Sequence, residues 1–330
     1  MKVLIIGGTQ FVGRHITQTA LDNGHEVTLF NRGKTNQDLF TDVEKIKGDR
    51  TKDLNKLSHR EWDVVIDTSG YHPEVVRQSA AALKNSVERY VFISTISVYK
   101  DFKNEYVDES YPVGTVDDPN VEDINAETYG PLKALCEQAI EEEMPGKTLS
   151  IRPGLIVGPH DPTDRFTYWV MRFARGGEVL VPGKENRSIQ FIDVRDLAEW
   201  TIHMTEQQET GVYNATGFDE EITMKDVVNT FLQISPEAED KWIGDSCLQK
   251  HDVQPFHELP LWIPESEELP YGYFLVSNHK AREKGLRFRP LRKTIEETRE
   301  WFVARENTDM ADGIGLDPAK EARIVKECAK

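Results

Sequence analysis

Short, nearly all-apolar runs alternate with amphipathic segments through the first half of this chain, and few architectures accommodate that rhythm. KVLII opens it and a helical pattern follows from about Phe11; VTLF, VVI, YVFIS and LSI come later, with further helical segments from about Pro73 and Glu127. A strand that is apolar at nearly every position is buried on both faces, so the segments between such strands must cross over as covering helices. The expected class is α/β, a doubly wound parallel sheet. After Arg152 the rhythm loosens. RPGLIVGPHDP reads as strand and loop, and helices are expected around Phe166 to Arg175, Val194 to Thr205 and Met224 to Leu232.

The first strand runs into GGTQFVG, Gly7 to Gly13, and then into a helix. Glycines at such a turn let backbone N–H groups approach a pyrophosphate, and the helix adds the positive end of its dipole. This placement supports a Rossmann-type dinucleotide site formed by Gly7, Thr9, Gln10, Phe11, Val12 and Gly13; a plain tight turn is the blander alternative. At the end of the second strand an acidic residue would accept hydrogen bonds from the 2′-OH of NAD. Asn31 stands there instead, followed by Arg32 and Lys34. An uncharged residue beside a guanidinium and an ammonium suits a 2′-phosphate, so NADP is expected in preference to NAD.

TYGPLKALCEQAI sets Tyr129 and Lys133 four residues apart on an expected helix, which puts both side chains on one face. A phenol with an ordinary pKa of about 10 is a poor base at neutral pH, and an adjacent ammonium favours its phenolate. Tyr129 can then exchange a proton with a substrate hydroxyl or carbonyl while hydride moves at the same carbon. Lys133 is expected to hold the nicotinamide ribose as well.

GGTQFVG resembles the GGTGFIG turn of the extended short-chain dehydrogenases/reductases, the NAD-dependent epimerase/dehydratase group, and departs from it at Gln10. The resemblance runs over roughly residues 1–305. It implies that Asp49 and Arg50 contact the adenine edge and that Thr68 and Ser69 lie beside the ribose and nicotinamide. Aligning Val98 and Tyr99 with the family's Ser-Ser/Thr-x-x-Val-Tyr pattern implies Thr95 as the active hydroxyl, with Ser94 and Ser97 as neighbours. IRPGLIVGPHD, with Pro153, is similar to the family's segment near the nicotinamide. Nucleotide-sugar enzymes of the group grip a diphosphate with an arginine where this chain has Ile189; Arg187, on the same strand face, is the expected substitute. Sugar 4,6-dehydratases carry an Asp-Glu pair where Ile96 and Ser97 stand, so dehydration is disfavoured. Reduction of a carbonyl and epimerisation through a transient ketone, on a small or sugar-like substrate, both stay open. DTSGY, HDPTDRFTYWV and RSIQFIDVRDLA look most like an atypical branch that includes reductase-like bacterial proteins and the chloroplast stem-loop-binding proteins. That branch implies a noncatalytic, RNA-binding alternative, and the family implies a homodimer.

A formal net charge of -17 repels nucleic acid and anionic membrane at long range. The basic stretch from Lys280 to Lys293 is the local exception, read as a solvated helix and turn. No apolar run approaches the length of a bilayer span. Cys136, Cys247 and Cys328 are too widely spaced to suggest a disulfide framework or a metal cluster; inert thiols, no metal and a reducing cytoplasm are expected. The organisation expected is a dinucleotide-binding core over residues 1–155, a smaller substrate-binding lobe with interleaved core elements over 156–305, and a polar, loosely held tail over 306–330.

Overall fold

The opening KVLII shows how the sheet is buried on both faces. Val3 and Ile5 of β1 (Lys2–Ile6) enter one apolar cluster, Leu4 and Ile6 the cluster on the opposite side, and none is more than 2% exposed. Burying one such side chain is worth ~1.5–3 kcal/mol, so the alternation of sides fixes the strand in its register. The computed structural model describes residues 1–119, 121–267, 269 and 275–329.

In chain order the first half continues with α1 (Phe11–Asp22), β2 (Glu26–Asn31), β3 (Glu44–Lys47), β4 (Trp62–Asp67), α2 (Pro73–Leu83), β5 (Val87–Ile93), α3 (Tyr129–Glu143) and β6 (Thr148–Pro153). The second half carries β7 (Ile156–Val157), α4 (Arg165–Ala174), β8 (Gly177–Pro182), β9 (Ser188–Ile189), β10 (Ile192–Asp193), α5 (Val194–Glu206), β11 (Gly211–Ala215), β12 (Ile222–Thr223), α6 (Met224–Ile234) and β13 (Ala238–Ile243). α7 (Asp245–Lys250), α8 (His279–Glu283), α9 (Leu291–Val303) and α10 (Pro318–Cys328) complete it.

Seven parallel strands form one sheet in the order β11-β6-β5-β4-β1-β2-β3. The chain winds outward from β1 in one direction and then from β4 in the other. The crevice beyond the carboxyl ends of β1 and β4 is thus the switch point where such sheets bind ligands. α1 buries Gly13, Ile16, Thr17 and Ala20, the spacing of one helix face, on the side where α5 also packs. α2, started by Pro73 at its first turn, packs with α3 on the other side.

The remaining elements build a second core. β8 pairs with β13, and Trp169, Phe173 and Phe231 fill the space beneath α4, α6, α9 and α10, with Phe173 and Phe231 stacked at 4.7 Å. The three helices expected after Arg152 form close to where their periodicity placed them.

Three expectations are corrected. The segment from Glu306 is not a loose tail throughout: α10 buries Ile324 and Val325 in the second core, and Glu321 takes the Arg172 guanidinium at 2.8 Å and the Leu180 N–H at 3.0 Å. The polar appearance of α10 reflects a helix with one narrow apolar face. Within the basic stretch Arg287, Arg292 and Lys293 are exposed, but Arg289 docks on α5 through Asp196 at 2.6 Å and Glu199 at 2.9 Å. Cys247 and Cys328 are joined as a disulfide, because the folding of α10 onto the lobe brings together positions 81 residues apart. Cys136 stays free and buried, its thiol pushed up to about 12 by that burial.

Candidate active site

The glycine turn is shaped for close approach. Gly7 and Gly8 adopt φ of +109° and +89°, a region that side chains resist, and a Cβ at Gly13 would sit 2.7 Å from the Gly8 nitrogen. Gln10 precedes α1 in an extended conformation, and its side chain makes no capping hydrogen bond; no acidic residue lies in the first turn. The first N–H groups of α1 are therefore left to a ligand. They open on a cavity of about 640 Å³ bounded by Gly7 to Gly13, Asn31 to Thr35, Gly48 to Thr51, Thr68, Ser69, Tyr71, His72, Val75 and Pro162.

Twelve residues read from the sequence as cofactor contacts, in four separate segments, thus border one space. Their side chains divide the work unevenly. The Asn31 amide donates to the Gly7 carbonyl at 2.8 Å, and its oxygen accepts the Gly33 N–H at 2.9 Å, so it ties the end of β2 to the glycine turn. Asn36 adds a second tie, donating to the Thr9 carbonyl at 2.8 Å. Arg32 and Lys34 are exposed on the same rim. Asp49 is held below the usual carboxylate range by hydrogen bonds from the N–H and hydroxyl of Thr51.

Arg50 also borders the cavity, with its head group engaged. Its guanidinium turns inward and binds both oxygens of Asp67, at 2.9 and 2.6 Å, while Tyr90 donates to the same carboxylate at 2.7 Å. Burial alone would raise Asp67, but the charge and hydrogen bonds of Arg50, with the Ser69 N–H and Tyr90, hold it low. Arg50 thus borders the cavity with its guanidinium already paired to Asp67.

The residues expected from the sequence to transfer protons lie toward the carboxyl end of β5. Lys133, 3% exposed, donates to the carbonyls of Gly70 at 2.8 Å and Ile93 at 2.7 Å, with its ammonium 3.9 Å from the centre of the Phe92 ring. Burial pushes its pKa down to about 8, against the opposing pull of Cys136, Asp67 and Glu137. A Cβ at Gly130 would run into the Ser97 carbonyl, so the first turn of α3 can lie directly on the segment after β5. This contact sets the start of α3, which carries Tyr129, against the segment that follows Thr95. The Thr95 oxygen accepts the Ser97 N–H at 3.1 Å, which leaves its hydroxyl hydrogen for a substrate. Ser94 is buried with its hydroxyl unpartnered among the described residues. Pro153 ends β6, outside the lining of the glycine-turn cavity.

Tyr71 connects the two parts. It lines the cavity, its ring centre is 6.4 Å from that of Tyr129, and the Lys133 ammonium lies 5.5 Å from the same ring. The sequence carried no signal for this role beyond its place in DTSGY. Arg187 is not brought to the site. Its guanidinium donates to Asp245 at 2.9 Å and to the Ile263 carbonyl at 2.7 Å, so the substitute diphosphate grip expected from the sequence is already occupied.

Two family patterns match the chain: "NAD(P)H-binding" over residues 7–121 and "NAD dependent epimerase/dehydratase family" over residues 75–216. Among curated relatives, the chloroplast stem-loop binding protein of 41 kDa b from Arabidopsis thaliana is 29% identical over 236 residues, 66% of this chain and 58% of that one. The 2-alkyl-3-oxoalkanoate reductase of Stenotrophomonas maltophilia is 29% identical over 223 residues, 61% of this chain and 64% of its own length. The chain therefore matches less than two thirds of either relative. The solved structure of UDP-glucuronic acid 4-epimerase from Bacillus cereus in complex with NAD superposes with a TM-score of 0.66 at 18% identity, covering 91% of this chain and 98% of that one. No helix among the described residues is long and apolar enough to cross a membrane. The glycine turn, the switch-point cavity and the strand order agree with the matched patterns, and the chain has an NAD(P)-binding fold of the epimerase/dehydratase type.

Proposed function

We propose that the chain is an NADP-preferring oxidoreductase that reduces the carbonyl of a small or sugar-like substrate, with Thr95, Tyr129 and Lys133 as its catalytic residues. The observation that carries this reading is Lys133, an ammonium buried beside β5 and one helical turn from Tyr129. A buried charge is costly, and its retention at a strand end beside a glycine-turn cavity points to chemistry.

The residues present fit a dinucleotide. Gly7, Gly8 and Gly13 keep the turn free of Cβ atoms, and the uncapped N–H groups of α1 suit its pyrophosphate. Arg32 and Lys34 suit a 2′-phosphate, Thr68 and Ser69 the ribose, and Lys133 the ribose on the nicotinamide side. When bound, the reduced nicotinamide supplies a hydride to the carbonyl carbon. Thr95 donates its hydroxyl hydrogen to the carbonyl oxygen and orients it. Tyr129 passes its phenolic proton to that oxygen as the C=O bond becomes a C–OH, and solvent restores the proton. The Lys133 ammonium favours the transient phenolate. Ile96 and Ser97 supply no acid-base pair for eliminating water, and the engaged Arg187 offers no grip for a nucleotide-sugar diphosphate. We assign the protein to a reducing cytoplasm and expect paired subunits, which sedimentation would read.

The likeness to a stem-loop binding protein favours a second reading, RNA binding on the same scaffold. The charge of -17 opposes it. A panel of aldehydes, ketones and oxo-acids with NADPH, read at the nicotinamide absorbance, tests the proposal. Net oxidation that disappears in Tyr129→Phe is expected. Substrate interconversion without net oxidation would instead identify an epimerase. Neither activity, together with salt-sensitive retention of RNA, would overturn the enzymatic reading.

A further inference from the structure

The disulfide between α7 and α10 has a histidine and a carboxylate beside it. Cys247 lies on α7, and His251, four residues on, follows the end of that helix. Cys328 is the last residue of α10, with Glu327 before it. The His251 Nε2 is 3.9 Å from the Cys328 sulfur and 3.3 Å from a Glu327 oxygen. One ligand atom from each of Cys247, His251 and Cys328 lies within 4.8 Å of the others. All three residues are partly buried, reachable by a small ion.

We propose that in the reduced chain Cys247, His251, Cys328 and Glu327 bind one zinc ion, and that the disulfide is the metal-free, oxidised state of the same site. Two thiolates, an imidazole and a carboxylate make a tetrahedral set that zinc accepts, with sulfur at ~2.3 Å and nitrogen at ~2.0 Å. The carboxyl end of an eleven-residue helix also favours a cation there. The ligands do not depend on the disulfide for their proximity. Glu321 anchors α10 to Arg172 at 2.8 Å in the interior, and Ile324 and Val325 pack in the lobe core. Opening the disulfide should therefore leave the thiols facing each other across the same gap.

The two states exclude each other, because a sulfur bonded to sulfur is not a thiolate. A dithiol reductant would transfer two electrons and two protons to the pair, giving two thiols and its own disulfide. Zinc would then displace the two thiol protons on binding. In a reducing compartment the metal form would prevail, and oxidation would expel the ion while keeping α10 fastened.

The test uses the full chain. Reduction with a water-soluble phosphine, which takes oxygen from water as the disulfide accepts two electrons and two protons, is followed by anaerobic removal of reagent and titration with cobalt(II). The thiolate-to-cobalt charge-transfer band and tetrahedral ligand-field bands should saturate at about one ion per chain and be displaced by zinc. Chain reoxidised with an azo-dicarboxamide should bind none. Cys247→Ser should lose the thiolate signal by half or more and weaken zinc at least roughly a hundredfold, and His251→Asn, which leaves both cysteines in place, should weaken it on the order of tenfold or more. Circular dichroism identifies any variant that has not folded, and the oxidised wild type then serves as the metal-free control. Reduced wild type without a thiolate-cobalt band, equal binding by oxidised chain, or unchanged binding by His251→Asn would each overturn the site.

Discussion

Lys133→Met replaces the buried ammonium with an apolar side chain of similar length, and its effect on stability should depend on pH in a direction the structure fixes. Burial holds Lys133 down to about 8 in the folded chain, against an ordinary 10.5. Below pH 8 folded and unfolded chains both carry the proton, and folding bears the full cost of burying the charge. Between about 8 and 10.5 the folded chain loses its proton first, so the cost is relieved as pH rises. That interval corresponds to ~3 kcal/mol at about 1.4 kcal/mol per pH unit, most of it recovered by pH 10. Methionine also leaves the carbonyls of Gly70 and Ile93 without this donor, a loss common to both pH values. Denaturant unfolding of both proteins at pH 7 and pH 10, followed by tryptophan fluorescence and far-ultraviolet circular dichroism, isolates the pH-dependent part. Other groups titrate in both chains and cancel in the difference. The stability of wild type relative to Lys133→Met should rise by roughly 2–3 kcal/mol between the two conditions. A difference that stays flat, or falls, would show that Lys133 is not a desolvated ammonium at neutral pH and would remove the observation on which the proposed chemistry rests.

Tyr129→Phe should lower turnover on the order of a hundredfold or more while leaving dinucleotide affinity nearly unchanged, as steady-state kinetics and calorimetry would measure. Arg32→Ala should weaken NADP by roughly tenfold or more and NAD little; equal losses would refute the 2′-phosphate assignment. Glu321→Gln should destabilise the fold by about 3–5 kcal/mol, because Arg172 is left as an uncompensated buried charge, and an unchanged denaturation midpoint would place α10 outside the cooperative unit. Incubation with thymidine- or guanosine-diphospho sugars should yield no keto-deoxy sugar by mass spectrometry, and clear formation of one would restore the dehydratase reading.

The sheet and the glycine turn were legible because they are local: apolar runs of strand length and a turn of fixed spacing need no knowledge of the rest of the chain. β3 was not legible, since EKIK is a largely exposed edge strand held by pairing with β2 and carries no apolar signature. The site divided along the same line. Tyr129 and Lys133 could be paired because one helix carries both. The ion pairs of Arg50 and Arg187 were not legible because an arginine's partner depends on what folding brings opposite it, here Asp67 and Asp245 from distant segments. The disulfide escaped for the same reason, as did Tyr71, whose importance lies only in the space between Lys133 and Tyr129.

The inward turn of Arg50 bears on Lys133 as well. Asp67 ends β4, directly before Thr68 and Ser69, and its carboxylate helps keep Lys133 protonated while the Arg50 guanidinium opposes it. The two charges act on Lys133 in opposite directions, and burial is the largest influence on that ammonium. Asp67 without Arg50 would be a lone buried carboxylate drawn toward protonation. The pair therefore builds the wall beside Asp49 and at the same time sets opposite charges near Lys133. An arginine paired with a buried carboxylate can in this way bear on both the shape of the cavity and the charge felt by the buried ammonium beyond it.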